Sequence, residues 1–154
     1  MSRAPISDVP ELTVLLVEDS AADIRLTTEA FRDADRPVDV RVVGDGLEAL
    51  AFLLREGRHA DAPRPDLILL DLDLPGMNGR EVLAAIKGDH RLRRIPTVIL
   101  TMSDSESDVQ RSYDLQANAY LTKPVQLAAF ELIVRHLSEF WLSTVRLPAH
   151  VPGD

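Results

Sequence analysis

Cysteine is missing altogether from the 154 residues, which excludes disulfides and thiolate metal sites and suits a reducing cytoplasm. Nothing approaches the run of about 18 apolar residues that a membrane span needs. No apolar core of signal-peptide type opens the chain either, in MSRAPISDVPEL, and residues 1–10 read as a short disordered lead. Basic charge is in deficit: 17 Lys and Arg against 25 Asp and Glu leave a formal net charge of −8. Such a balance disfavours nucleic-acid binding, because phosphates are held by clustered cations. The one dense basic patch, Arg91, Arg93 and Arg94, reads as a solvated loop ahead of Ile95-Pro96. The histidines His59, His90, His136 and His150 are scattered without ligand spacing, and none is assigned a metal.

What is present is a regular alternation. Val14 to Val17, Val38 to Val43, Leu67 to Leu70, Ile95 to Leu100 and Ala119 to Leu121 are short runs rich in Val, Ile and Leu, and most are apolar on successive residues. That pattern fits parallel strands covered on both faces. Helical segments fall between and after them, at about 20–34, 45–56, 79–88, 105–116 and 125–144. Ser20 is placed to cap the first, and Ser105 with Asp108 resembles a capping box for the fourth. In the last, Leu127, Phe130, Val134, Leu137 and Trp141 fall on one stripe. Five βα units predict a doubly wound parallel sheet in one α/β domain over residues 11–144, followed by a tail at 145–154.

Polar residues finish these strands. VLLVED ends in Glu18 and Asp19, LILLD in Asp71, VILT in Thr101 and AYLTK in Lys123. In an open α/β sheet the crevice outside the carboxyl ends of the strands is where ligands bind. Carboxylates gathered there repel unless a cation sits among them, and oxygen ligands without His or Cys favour a hard ion such as Mg²⁺. A divalent ion and Lys123 beside Asp71 would attract a phosphoryl group, with Asp71 as nucleophile and Thr101 as hydrogen-bond donor. Asp73 reads either as a turn residue ahead of Leu74-Pro75 or as a ligand through its backbone carbonyl.

In order and approximate spacing, Glu18-Asp19, Asp71 with Pro75 and Gly79 downstream, Thr101, and Lys123-Pro124 resemble the receiver domain of two-component response regulators, over residues 12 to about 140. The resemblance implies a flavodoxin-like (βα)5 fold with strand order 2-1-3-4-5 and phosphorylation of Asp71 by a histidine kinase in the presence of Mg²⁺. It further implies that Asp19 and Asp71 bind the ion with the Asp73 carbonyl, that Glu18 acts mostly through water, and that Lys123 contacts the phosphoryl group. Thr101 and Tyr120 look like the family's switch pair, remodelling the face made by the fourth helix, fifth strand and fifth helix, and Pro124 resembles its cis-proline. The segments DAPRPDLILLDLDLPGMNGREVL, RSYDLQANAYLTKPV and FWLSTVRLP are similar to small standalone regulators paired with bacterial phytochromes, which implies a phytochrome-type kinase. Asn commonly stands in that subfamily where this chain has Asp73, and the extra charge bears on the phosphoryl lifetime. Phe140, Trp141, Leu142 and Val145 either finish the core or extend the last helix into a homodimer surface.

Two other readings start from the same residues. Apolar-run-Asp71-Leu72-Asp73 resembles the first motif of haloacid-dehalogenase-type phosphatases, but Leu74 departs from the expected residue type, Lys123 follows the acidic segment instead of preceding it, and Glu18-Asp19 go unused. A receiver-like module signalling without phosphate would have no need of the intact acid set. Gly44-Asp45-Gly46 lacks the full dinucleotide-binding fingerprint, and too few residues follow the last helix for a helix-turn-helix.

Overall fold

Strands that are apolar on successive residues need cover on both sides, and the folded chain supplies it. The computed structural model describes residues 11–34 and 36–149; the expected lead at 1–10 and the last five residues of the tail lie outside them. β1 (Leu12–Val17), β2 (Val38–Val43), β3 (Leu67–Leu70), β4 (Thr97–Thr101) and β5 (Ala119–Thr122) form one parallel sheet in the order β2-β1-β3-β4-β5. Helices α1 (Ala21–Arg32), α2 (Gly46–Leu54), α3 (Gly79–Gly88), α4 (Glu106–Asp114) and α5 (Leu127–Ser138) follow the strands in turn. This is the expected flavodoxin-like order.

Alternate strand residues serve opposite sides of the sheet. Leu15, Val17, Ile68 and Leu70 pack with Phe52 of α2 and Val82, Leu83 and Ile86 of α3. Val14, Leu16, Leu67 and Leu69 pack with Phe31 of α1 and Phe130, Val134 and Leu137 of α5. β1, β3 and β4 are buried along their whole length, whereas the edge strands β2 and β5 are partly open. On β2, Asp39 and Arg41 pair at 2.9 Å, placing charge where an open edge would otherwise invite another strand.

Several boundaries shift for local reasons. β4 begins at Thr97 rather than Ile95, because the Ile95 carbonyl is taken by the Thr97 hydroxyl and the Lys87 ammonium. The expected helix at 125–144 divides: α5 ends at Ser138, and Glu139–Thr144 is a π-helical segment closed by Val145 N–H donating to the Phe140 carbonyl. Of the predicted stripe, Phe130, Val134 and Leu137 are buried, but Leu127 in the first turn is exposed. Leu142 is buried, Trp141 and Leu147 pack against the same side, and Phe140 faces solvent. Ser20 and Ser105 cap α1 and α4 as read, accepting from Asp23 N and Asp108 N. The reciprocal half of the box lies elsewhere, since the Asp108 carboxylate turns to Ser103 and Arg80. A complete capping box occurs instead at α3, between Asn78 and Glu81.

Candidate functional site

Parallel strands that run in register bring their last residues to one edge. β1 pairs with β3 through Val17 and Leu70, and both chains then turn outward into acids. Carboxylate oxygens of Glu18, Asp19 and Asp71 lie within 4.8 Å of one another. Asp19 is exposed, while Glu18 and Asp71 are buried. Lys123, past the end of β5, closes the group. Its Nζ donates to Glu18 Oε2 at 2.5 Å, Asp23 Oδ2 at 2.8 Å and Asp71 Oδ2 at 2.9 Å.

The oxygens of this cluster are not equally occupied. Glu18 Oε1 accepts from the backbone N–H groups of Asp19 and Ser20, each at 3.1 Å, so with Lys123 on its other oxygen the side chain is held at both ends. Asp71 Oδ1 accepts from Asp73 N–H at 3.1 Å. Asp73 itself is exposed, and it is through this N–H that it meets the cluster. Among the described residues no such bond ties down the exposed Asp19 carboxylate, which leaves its oxygens available to a ligand.

Burial is the largest single influence on both Glu18 and Lys123, but it prevails only on Glu18. It pushes the Glu18 carboxyl up to about 7 and the Asp71 charge adds to that rise, while the hydrogen bond and charge of Lys123 and the Ser20 N–H pull the other way. On Lys123 burial disfavours the ammonium, but hydrogen bonds to Asp23, Glu18 and Asp71 outweigh it and hold the group above its usual range. One ammonium against Glu18, Asp19, Asp23 and Asp71 leaves an excess of negative charge at an edge with an exposed acid. A divalent cation with a preference for oxygen fits that donor set.

Thr101 is fully buried at the same edge, two residues beyond Ile99, which pairs with Leu70 just ahead of Asp71. Its carbonyl accepts from Lys123 N–H at 2.7 Å, and its Oγ1 accepts from Ser103 N–H at 3.5 Å. Tyr120, half-buried on β5, donates its hydroxyl to the Ser103 carbonyl at 2.8 Å. Burial raises its phenol above the ordinary range, with the Ser103 side chain opposing. Ser103 also donates its hydroxyl to Asp108 at 2.6 Å, and Asp108 is ion-paired with Arg80 of α3. Ser103 first and Arg80 second hold the Asp108 carboxyl below the usual range. The connection between β4 and α4 is thereby tied to α3 on one side and β5 on the other.

One expectation fails. No cis peptide bond occurs among the described residues, so Lys123-Pro124 is trans. Trans is the lower-energy form of an Xaa-Pro bond by about 0.5–1 kcal/mol, and with it Lys123 already reaches all of its carboxylate partners. Asp23 was missed from sequence: in the first turn of α1 an acid is explained by the helix dipole alone, although its place four residues after Asp19 was a usable signal.

The response regulator receiver domain model matches residues 14–135. Response regulator Rcp1 of Synechocystis sp. is 49% identical over 140 residues, 91% of this chain and 95% of that protein. The crystal structure of the phosphorylated cyanobacterial phytochrome response regulator RcpA is 51% identical, covers 91% of this chain and all (100%) of that one, and superposes with a TM-score of 0.89. The Mn²⁺-bound form of Rcp1 is 48% identical, covers 90% of this chain and 99% of that one, and has a TM-score of 0.88. Family, fold and acidic edge agree against the phosphatase reading, and the chain belongs to the response regulator receiver family.

Proposed function

We propose that this protein is the phosphoacceptor of a two-component phosphorelay, taking a phosphoryl group from a histidine kinase onto Asp71. The observation that carries the reading is the cluster itself: Glu18, Asp19 and Asp71 within 4.8 Å, with the Lys123 ammonium on Asp71. An Asp71 oxygen attacks phosphorus as the bond to the kinase histidine breaks. Lys123 keeps its bonds to Glu18 and Asp23 while turning toward a phosphoryl oxygen, and Thr101 donates its hydroxyl to another. Mg²⁺ is the proposed ion, held by Asp19, Asp71 and the Asp73 carbonyl, with Glu18 acting through water; when bound it neutralises charge on the transferring group. Drawing Thr101 toward phosphate pulls on the connection that Tyr120 holds through Ser103, so the output face is that of α4, β5 and α5.

The likeness to RcpA and Rcp1 supports a phytochrome-type kinase as the donor, and the lack of cysteine supports a cytoplasmic setting. Self-association through the last helix is part of the proposal, supported by the exposed Phe140 beside Trp141. The test is incubation with acetyl phosphate and Mg²⁺ followed by mass mapping. One phosphoryl group is expected on Asp71 and none on Asp71→Asn; an unlabelled wild type, or a label elsewhere, contradicts the reading.

A further inference from the structure

Helices antiparallel to their strands return the chain to the opposite edge of the sheet, away from the acids, and there a second feature is assembled. The connection from α2 to β3 and the connection from α3 to β4 meet around a concavity of about 150 Å³. It is lined by Leu53, Leu54, Leu92 and Ile95, which expose only a small apolar surface, and by Arg55, Arg64 and Arg91. A smaller depression shares Arg64, Pro65 and Ile95 with it and adds Arg94. The triplet Arg91, Arg93 and Arg94 lies on a solvated turn as expected, and Arg55 and Arg64 from a distant connection stand beside it. Arg64 fastens the two connections by donating to the Arg91 carbonyl at 2.7 Å. Arg91 is paired with Asp89 and lies within electrostatic reach of Glu56. The guanidinium groups of Arg55, Arg93 and Arg94 have no hydrogen-bond or ion-pair partner among the described residues. In a chain of net charge −8, this is a local reversal of sign.

We propose that this concavity docks an acidic segment of a partner protein, with one apolar side chain on the leucine and isoleucine lining and flanking carboxylates on the arginines. Arginine suits that task, since its planar fork matches a carboxylate. The volume is well below the roughly 300–1,000 Å³ of a typical small-molecule site. Nucleic acid is disfavoured twice: no aromatic side chain lines the concavity to stack a base, and the chain as a whole carries a net charge of −8. The position at the far edge from Asp71 means a partner can be held here without covering the phosphoacceptor.

A fluorescein-labelled synthetic peptide with glutamates on both sides of a single leucine serves as the probe, read by fluorescence anisotropy against the intact chain. Saturable binding that weakens with added salt is expected, and Arg55→Glu with Arg94→Glu should cut the affinity by about tenfold or more. Acetyl-phosphate labelling of Asp71 in that variant should match wild type, which shows that it folds. No saturable binding by wild type, binding equal in the variant, or equal binding of a lysine-for-glutamate peptide overturns the proposal. Tighter binding of a single-stranded oligonucleotide would also overturn it, in favour of nucleic acid.

Discussion

At the scale of single residues, Glu18 is strongly perturbed in its protonation. Its carboxyl is held at about 7 against an ordinary 4.5, chiefly by burial. A folded value above the unfolded one means the contribution to stability is full below the ordinary value and is lost as pH rises through about 7. The metal-free protein is therefore expected to lose stability, through Glu18, between about pH 4.5 and pH 7. A divalent ion favours the charged carboxylate, so Mg²⁺ binding must release the proton that Glu18 carries at lower pH. Calorimetric titrations with Mg²⁺ should show affinity falling toward about tenfold per pH unit below pH 7, with proton uptake by the buffer, and Glu18→Gln should flatten the profile. A wild-type affinity constant across that range would show that Glu18 is not linked to the ion. Much of this site was legible because strand-end acids stand out after apolar runs: Asp71 closes Leu67–Leu70, and Glu18 and Asp19 close Val14–Val17. Asp23 was hidden because helix starts favour acids anyway, and the partner that gives it meaning, Lys123, lies 100 positions away.

At the scale of elements, the short fully buried strands were readable from composition because both of their faces need apolar cover. The ends of helices were less so. The split of the last helix at Ser138 leaves no mark in its apolar spacing, since a π-helical turn keeps the same residues and changes only which carbonyl each N–H meets. The capping box of α3 was legible in principle, as Asn78 and Glu81 stand at the required spacing. Its consequence is functional: α3 begins directly against the Asp71 turn, with Gly79 N–H donating to the Leu72 carbonyl at 3.0 Å. A Cβ on Gly79 would lie 2.3 Å from the Asp71 carbonyl oxygen and 2.6 Å from Leu72 Cα. Backbone on both sides leaves no flexible side chain to move aside, so either α3 or the Asp71 turn must shift. Gly79→Ala is expected to destabilise the fold by about 1–3 kcal/mol, seen as a lower urea midpoint, and to slow acetyl-phosphate labelling. A midpoint equal to wild type would mean that α3 yields without cost.

At the scale of the whole molecule, the sheet separates three surfaces: an acidic edge at Asp71, an arginine-rimmed concavity at the opposite edge, and an apolar groove along β5 and the last helix. That groove, about 350 Å³, is lined by Ala119, Leu121, Ile133 and Leu137 and ends at Phe140 and Trp141. The two rings meet edge to face at 5.5 Å, and Phe140 is 52% exposed although Leu142, two residues on, is buried. The π-helical turn rotates successive side chains differently from an α-helix, so the aromatic pair and the core residue share one short segment. A large exposed ring beside an open apolar groove is costly in water and would be relieved by a second copy placed across it. A symmetric dimer would then bury the β5 and α5 parts of the output face, coupling Tyr120 to association. Sedimentation velocity is expected to show a concentration-dependent dimer for wild type, shifted toward monomer by at least about tenfold in Phe140→Asp and Trp141→Ala. Phe140→Asp is the cleaner of the two, since Trp141 also packs on the core. Monomeric wild type at high concentration would leave the groove without a second copy and would remove association from the route by which Asp71 reaches its output.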